Sequence, residues 1–127
     1  LTVRCLTVLA AALSLLVASS ALAASVDLSR PHGNKSGCIN KDGQEVYAED
    51  MLLLTGESLV TITSACTFTA KEPQADGSLK VGADCESEGE EGTSPATFVI
   101  KQSPKNPKIL VISDDTGFTM GEVSLCK

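Results

Sequence analysis

The sequence predicts a small all-β fold, an antiparallel meander closed into a barrel or a compact sandwich and held by two disulfides. Three observations predict it. Apolar or alternating runs recur every 8–14 residues or so, with Gly, Pro, Asn or Asp between them, which is the spacing of roughly six to eight short strands. No window carries an apolar stripe at helical spacing with caps at both ends. The cysteine count becomes even once a leader is set aside.

The leader is expected over residues 1–23. Arg4 supplies a positive start, residues 6–17 an apolar stretch, and Ala21-Leu22-Ala23 a small-x-small cleavage pattern. The apolar stretch is shorter than the ~20 residues of a bilayer span, so it reads as a cleaved signal and leaves no membrane span behind. Cys5 and Arg4 leave with it. The remaining chain holds Cys38, Cys66, Cys85 and Cys126, and nine Lys and Arg against sixteen Asp and Glu, a net charge of −7. Four cysteines in an exported domain of this size read as two disulfides, in a periplasmic or secreted setting. Their spacings of 28, 19 and 41 contain no C-x-x-C pair, so neither a zinc site nor a redox motif is expected.

Residues 24–37 are polar and aperiodic and read as a flexible N-terminal arm. The disulfide-stapled domain is expected to run from Cys38 to the end, residues 38–127. Residues 51–55 form an apolar strand ending at Gly56. Residues 58–68 alternate, with Val60, Ile62, Ser64, Cys66 and Phe68 on one face, and read as one strand. Glu72-Pro73 and Asp76-Gly77 end it in a tight turn. Leu79, Val81, Ala83 and Cys85 line one face of the next strand. Phe98 and Ile100 mark the strand over 96–102, which Ser103-Pro104 breaks. Residues 109–112 form an apolar run, Asp114 to Gly117 a turn, and 118–126 the last one or two strands.

Pairing of the cysteines is open among three arrangements. With Asp76-Gly77 as the turn centre, Cys85 falls opposite Phe68, and a bond to Cys66 would be diagonal. The reading therefore favours a bond from each terminal cysteine, Cys38 and Cys126, to one arm of the central hairpin.

The strongest local charge is the segment holding Asp84, Glu86, Glu88, Glu90 and Glu91. It reads as a docking surface for a cationic protein, set against the plainer reading of a solvated, solubilising loop. Its ligand spacing does not follow the EF-hand pattern, and no metal or other cofactor is expected. The acidic balance argues against nucleic acid. Catalysis is not expected. His32, the single histidine, falls in the arm, the cysteines are expected to be oxidised, and Asp115-Thr116-Gly117 has too few residues after it for an aspartic-protease lobe. Nothing in the pattern speaks to oligomeric state.

Gly37-Cys38, Leu52-Leu53-Leu54-Thr55, Ser64-Ala65-Cys66-Thr67-Phe68, Cys85-Glu86-Ser87-Glu88-Gly89 and the cysteine beside the C-terminus resemble the pattern of small exported four-cysteine proteins of Alphaproteobacteria. That resemblance implies export and disulfides but no activity. Size, compartment and acidity are also similar to the periplasmic inhibitors of c-type lysozyme. Ser36-Gly37 matches the start of their inhibitory Ser-Gly-x-x-Tyr pattern, but the only tyrosine is Tyr47, so the pattern itself is absent. An exported, non-enzymatic binding domain is the leading functional expectation, and inhibition of a hydrolase such as c-type lysozyme the alternative.

Overall fold

In the computed structural model, which describes residues 26–127, eight antiparallel strands close into a barrel in strict chain order. The expected signal segment 1–23, with Cys5, lies outside the described residues. The strands are β1 (His32–Gly33), β2 (Leu52–Leu54), β3 (Ser58–Thr61), β4 (Ser64–Pro73), β5 (Leu79–Ser87), β6 (Ser94–Gln102), β7 (Ile109–Asp114) and β8 (Thr119–Leu125). One short helix, α1 (Lys35–Lys41), lies between β1 and β2. Of the two architectures the sequence allows, the structure is the barrel: β1 pairs with β2 on one side and β8 on the other, so no sheet edge runs the full height.

Period-2 alternation fills the interior. On β5 Leu79, Val81, Ala83 and Cys85 are buried while Lys80, Asp84 and Glu86 are exposed, as the sequence pattern requires. Leu54, Leu59, Val81, Ile100, Ile112 and Val123 are fully enclosed, and Phe98 packs with them. The three leucines of β2 are all buried for two different reasons. Leu52 and Leu54 point into the core, and Leu53 is covered from outside, where α1 lies against β2.

Four expectations change in the structure. The ordered domain does not begin at Cys38: β1 and the start of α1 precede it, and Leu28 joins the core. The helix was missed because it is seven residues long and carries no apolar stripe; a side-chain cap and β2 hold it instead. Asn34 caps it by accepting the Gly37 N–H at 2.9 Å, and the same oxygen accepts the Leu52 N–H at 3.1 Å. Residues 58–68 are two strands rather than one. Thr61 Oγ1 accepts N–H groups from Thr63 (3.3 Å) and Ser64 (3.0 Å), bending the chain where the Thr-rich alternation looks continuous.

The fourth change is the disulfide pairing, which is Cys38–Cys126 and Cys66–Cys85. Two one-residue offsets bring Cys66 opposite Cys85. The β4–β5 connection is centred on Asp76 rather than on the Asp76-Gly77 bond, since Pro73 pairs with Leu79. An irregularity between Phe68 and Ala70 then moves the register by one more residue. The two cysteines become direct cross-strand partners with Cα atoms 4.0 Å apart. Cys38–Cys126 instead ties α1 to the end of β8 with a separation of 88 residues, across the seam where the barrel closes.

Candidate interaction surface

Because strands alternate in direction, every second connection emerges at the same end of the barrel. One end collects the β1–β2 connection (residues 34–51), the β3–β4 turn (62–63), the β5–β6 loop (88–93) and the β7–β8 turn (115–118). The acidic segment singled out in the sequence divides here. Asp84 and Glu86 stand on the outer wall of β5, cross-strand from Thr67 and Ala65, whereas Glu88, Glu90 and Glu91 belong to the loop at the end. All five are exposed. Glu88 N–H donates to Thr63 O at 2.8 Å and Glu90 N–H to Ser87 O at 3.1 Å, so the loop is pinned to β3–β4 on one side. Gly89 completes its turn with φ of +80°, a left-handed conformation that other residues adopt at a cost.

The fold adds carboxylates that are remote in sequence. Asp42, Glu45, Glu49 and Asp50 come from the β1–β2 connection and Asp115 from the β7–β8 turn. With Glu88, Glu90 and Glu91, this end's connections hold eight carboxylates against Lys35 and Lys41. The opposite connections (26–31, 55–57, 74–78 and 103–108) hold Asp27, Glu57 and Asp76 against Arg30, Lys105 and Lys108, and Lys71, Lys80 and Lys101 lie with Glu72 on the strand ends beside them. The barrel is an electrical dipole, negative at one end.

Two aromatic side chains crown the negative end. Tyr47 is 85% exposed and Phe118 68% exposed, in a chain with only four aromatic residues. Aromatic residues are enriched at the cores of protein contact surfaces. Tyr47 Oη donates to Glu45 Oε2 at 2.9 Å. Between the two rings run two shallow grooves that share Met51, Thr61 and Ile62: one of about 390 Å³ is bordered by Tyr47 and Glu88, and one of about 250 Å³ by Phe118 and Asp50. Sequence reasoning found the acidic loop and missed both rings. The available signal was the placing of Tyr47 between Glu45 and Glu49, an aromatic in a polar stretch without strand alternation.

The remaining sequence candidates resolve structurally. All four cysteines among the described residues are in disulfides. His32 is in β1 rather than in an arm, and its Nδ1 lies 2.9 Å from Arg30 O. Asp-Thr-Gly is a turn in which Asp114, one residue earlier, accepts the Thr116 hydroxyl (2.7 Å) and the N–H groups of Thr116 (2.9 Å) and Phe118 (3.0 Å). Those bonds, the Thr116 hydroxyl first, hold its carboxyl below the ordinary aspartate value. Among the described residues no three His, Cys, Asp or Glu side chains converge as a metal site would require, and no helix is long and apolar enough to cross a membrane. No family model, curated protein or solved structure matches the chain.

Proposed function

We propose that this chain is an exported, non-enzymatic binding domain that docks a cationic protein through the negative end of its barrel, with Asp84, Glu86, Glu88, Glu90 and Glu91 forming one side of the contact. The observation that carries the reading is the joint placement of eight loop carboxylates and the exposed rings of Tyr47 and Phe118 at one end. Clustered carboxylates raise the encounter rate with a positive partner, and exposed aromatic rings supply the desolvated anchors that hold a complex once formed. A rigid barrel with two disulfides presents such loops with little ordering cost on binding.

Replacing Glu86, Glu88, Glu90 and Glu91 with Gln should lower the association rate with a cationic partner captured from the natural environment by about tenfold at low salt. High salt should produce the same loss in the parent chain. An association rate insensitive to both changes rejects the role of the acidic loop.

A narrower reading, inhibition of a hydrolase such as c-type lysozyme, is favoured by the exposed ring of Tyr47 beside Glu45 on the β1–β2 connection. A cell-wall turbidity assay decides it. Protection at stoichiometric protein supports inhibition, and full lysis in excess protein rejects it.

A further inference from the structure

The other end of the barrel carries a concavity of a different kind. β4 is ten residues long and β3 only four, and the β3–β4 ladder ends at Thr67. Beyond the register shift at 68–70, the second half of β4 therefore overhangs with no β3 neighbour. The segment 26–31 and the β2–β3 turn stand beside that overhang and enclose a groove of about 700 Å³. Small-ligand sites commonly measure about 300–1,000 Å³.

Its floor is apolar: Leu28 and Leu79 are buried parts of the core, and Val26 and Pro73 extend it outward. The lining of its mouth carries Arg30, Lys71 and Glu57, and Asp27 of the same segment lies within coulombic reach of Arg30. Lys71 Nζ donates to Gly56 O at 2.7 Å, which fixes the ammonium at the groove edge and leaves two of its three donors to offer. A carbonyl can only accept, so His32 Nδ1–H donates to Arg30 O at 2.9 Å and anchors the backbone that carries the guanidinium. The barrel interior is filled by side chains, so a ligand of this fold lies at its end rather than along its axis.

We infer that this groove binds a small anionic amphiphile, an alkyl carboxylate whose head sits between Arg30 and Lys71 and whose chain lies over Leu28 and Leu79. A carboxylate head can accept from the Arg30 guanidinium and from the two ammonium donors that Gly56 leaves to Lys71. The site is independent of the acidic end and goes beyond the function proposed for it.

The test is calorimetric titration of the oxidised full chain with laurate, held below its micelle concentration. Acetate supplies the head without a chain, dodecyl maltoside a chain without charge, and an acidic peptide the charge on a polymer. Laurate should bind at least tenfold more tightly than any of these, and should shift the methyl NMR signals of Leu28 and Leu79 in the unaltered protein. The R30Q/K71Q variant should lose at least tenfold in affinity with an unchanged unfolding midpoint. Gln replacement of Glu86, Glu88, Glu90 and Glu91 should leave laurate binding untouched, so failure at one end is read separately from failure at the other. Equal binding of dodecyl maltoside or of the acidic peptide, undiminished laurate affinity in R30Q/K71Q, or methyl shifts confined elsewhere would each overturn the assignment.

Discussion

The seam of the barrel and its long meander are built in opposite ways. β4 to β8 run six to ten residues each and pair in sequence order, every hairpin bringing near neighbours together. At the seam, β1 has two residues, β2 three and β3 four. β1 joins β8 through His32–Leu125 and Gly33–Ser124, extended by one Cys126 N–H bond to Pro31 O at 3.0 Å, partners about as far apart as the domain permits. Ladders of that length contribute little, and the loop they close costs entropy before any pairing returns it. Closure accordingly rests on fixed points: the Cys38–Cys126 bond, the Asn34 side chain between α1 and β2, and the seating of Gly37 on Leu52. Local pairing sustains the meander, whereas barrel closure is pinned.

The comparison is most exposed to breakage at the disulfides. Loop-closure entropy assigns about 4–5 kcal/mol to a bond across 88 residues and about 3 kcal/mol to one across 19. C38S/C126S should therefore lower the urea unfolding free energy by more than C66S/C85S does, a large share of the ~5–15 kcal/mol typical of a domain. Native-state hydrogen exchange should show the Gly33 and Leu53 amides released first in C38S/C126S, with β5 and β6 still protected. A larger loss in C66S/C85S would mean that the meander, not the seam, is the pinned region.

Gly37 comes next. A Cβ there would overlap Leu52 O and stand 2.5 Å from Leu52 C, so G37A must push α1 off β2. The cost should be about 1–3 kcal/mol or more, concentrated at the seam. An unperturbed denaturation curve for G37A would refute the tight seating of the helix. Asn34 is a smaller pin. Removing its oxygen orphans the N–H groups of Gly37 and Leu52, and N34A should cost about 1–2 kcal/mol. N34D keeps the acceptor but sets a carboxylate oxygen where Nδ2 donates to Asp50 O, so it should recover only part of that loss in the same assay.

The same division governs what the sequence discloses. Period-2 alternation on β5 and β6, the apolar core of β7 and the turns at Asp76 and Asp114 are local signals, and they were legible. The seam was not, because its determinants are long-range. Nothing near Asn34 indicates that its side chain will meet Leu52, and a seven-residue helix against a strand needs no stripe. The Cys66–Cys85 pair was misread for a subtler reason: register is an integer, and a turn centre plus one irregularity changed it by two. At the candidate site, the acidic loop is contiguous and visible. Its partnership with Tyr47, Phe118, Glu49 and Asp115 depends on which connections share an end, and so on barrel closure itself.

The smallest expected effect concerns acid. Asp76 and Asp114 close the β4–β5 and β7–β8 turns in the same way. Asp76 Oδ1 accepts the Ser78 hydroxyl (2.6 Å) and N–H (2.9 Å), as Asp114 accepts those of Thr116. In both, the hydroxyl hydrogen bond is the leading cause that lowers the carboxyl below 3.8. A carboxyl lowered in the folded state stabilises it fully above the unfolded value, and that contribution is lost as pH falls through the lowered folded value. Thermal midpoints should therefore be flat above pH 5 and decline below about 3.8. In D76N/D114N the amide still accepts the turn bonds but does not titrate, so this part of the acid decline should shrink. Asp27, whose carboxyl is lowered first by the Ser29 N–H, contributes the same sense of change beside the seam. An acid decline identical in D76N/D114N and the parent chain would move the acid-sensitive step from the meander turns to the segment around Asp27. The seam would then be the weaker half against protons as well as against denaturant.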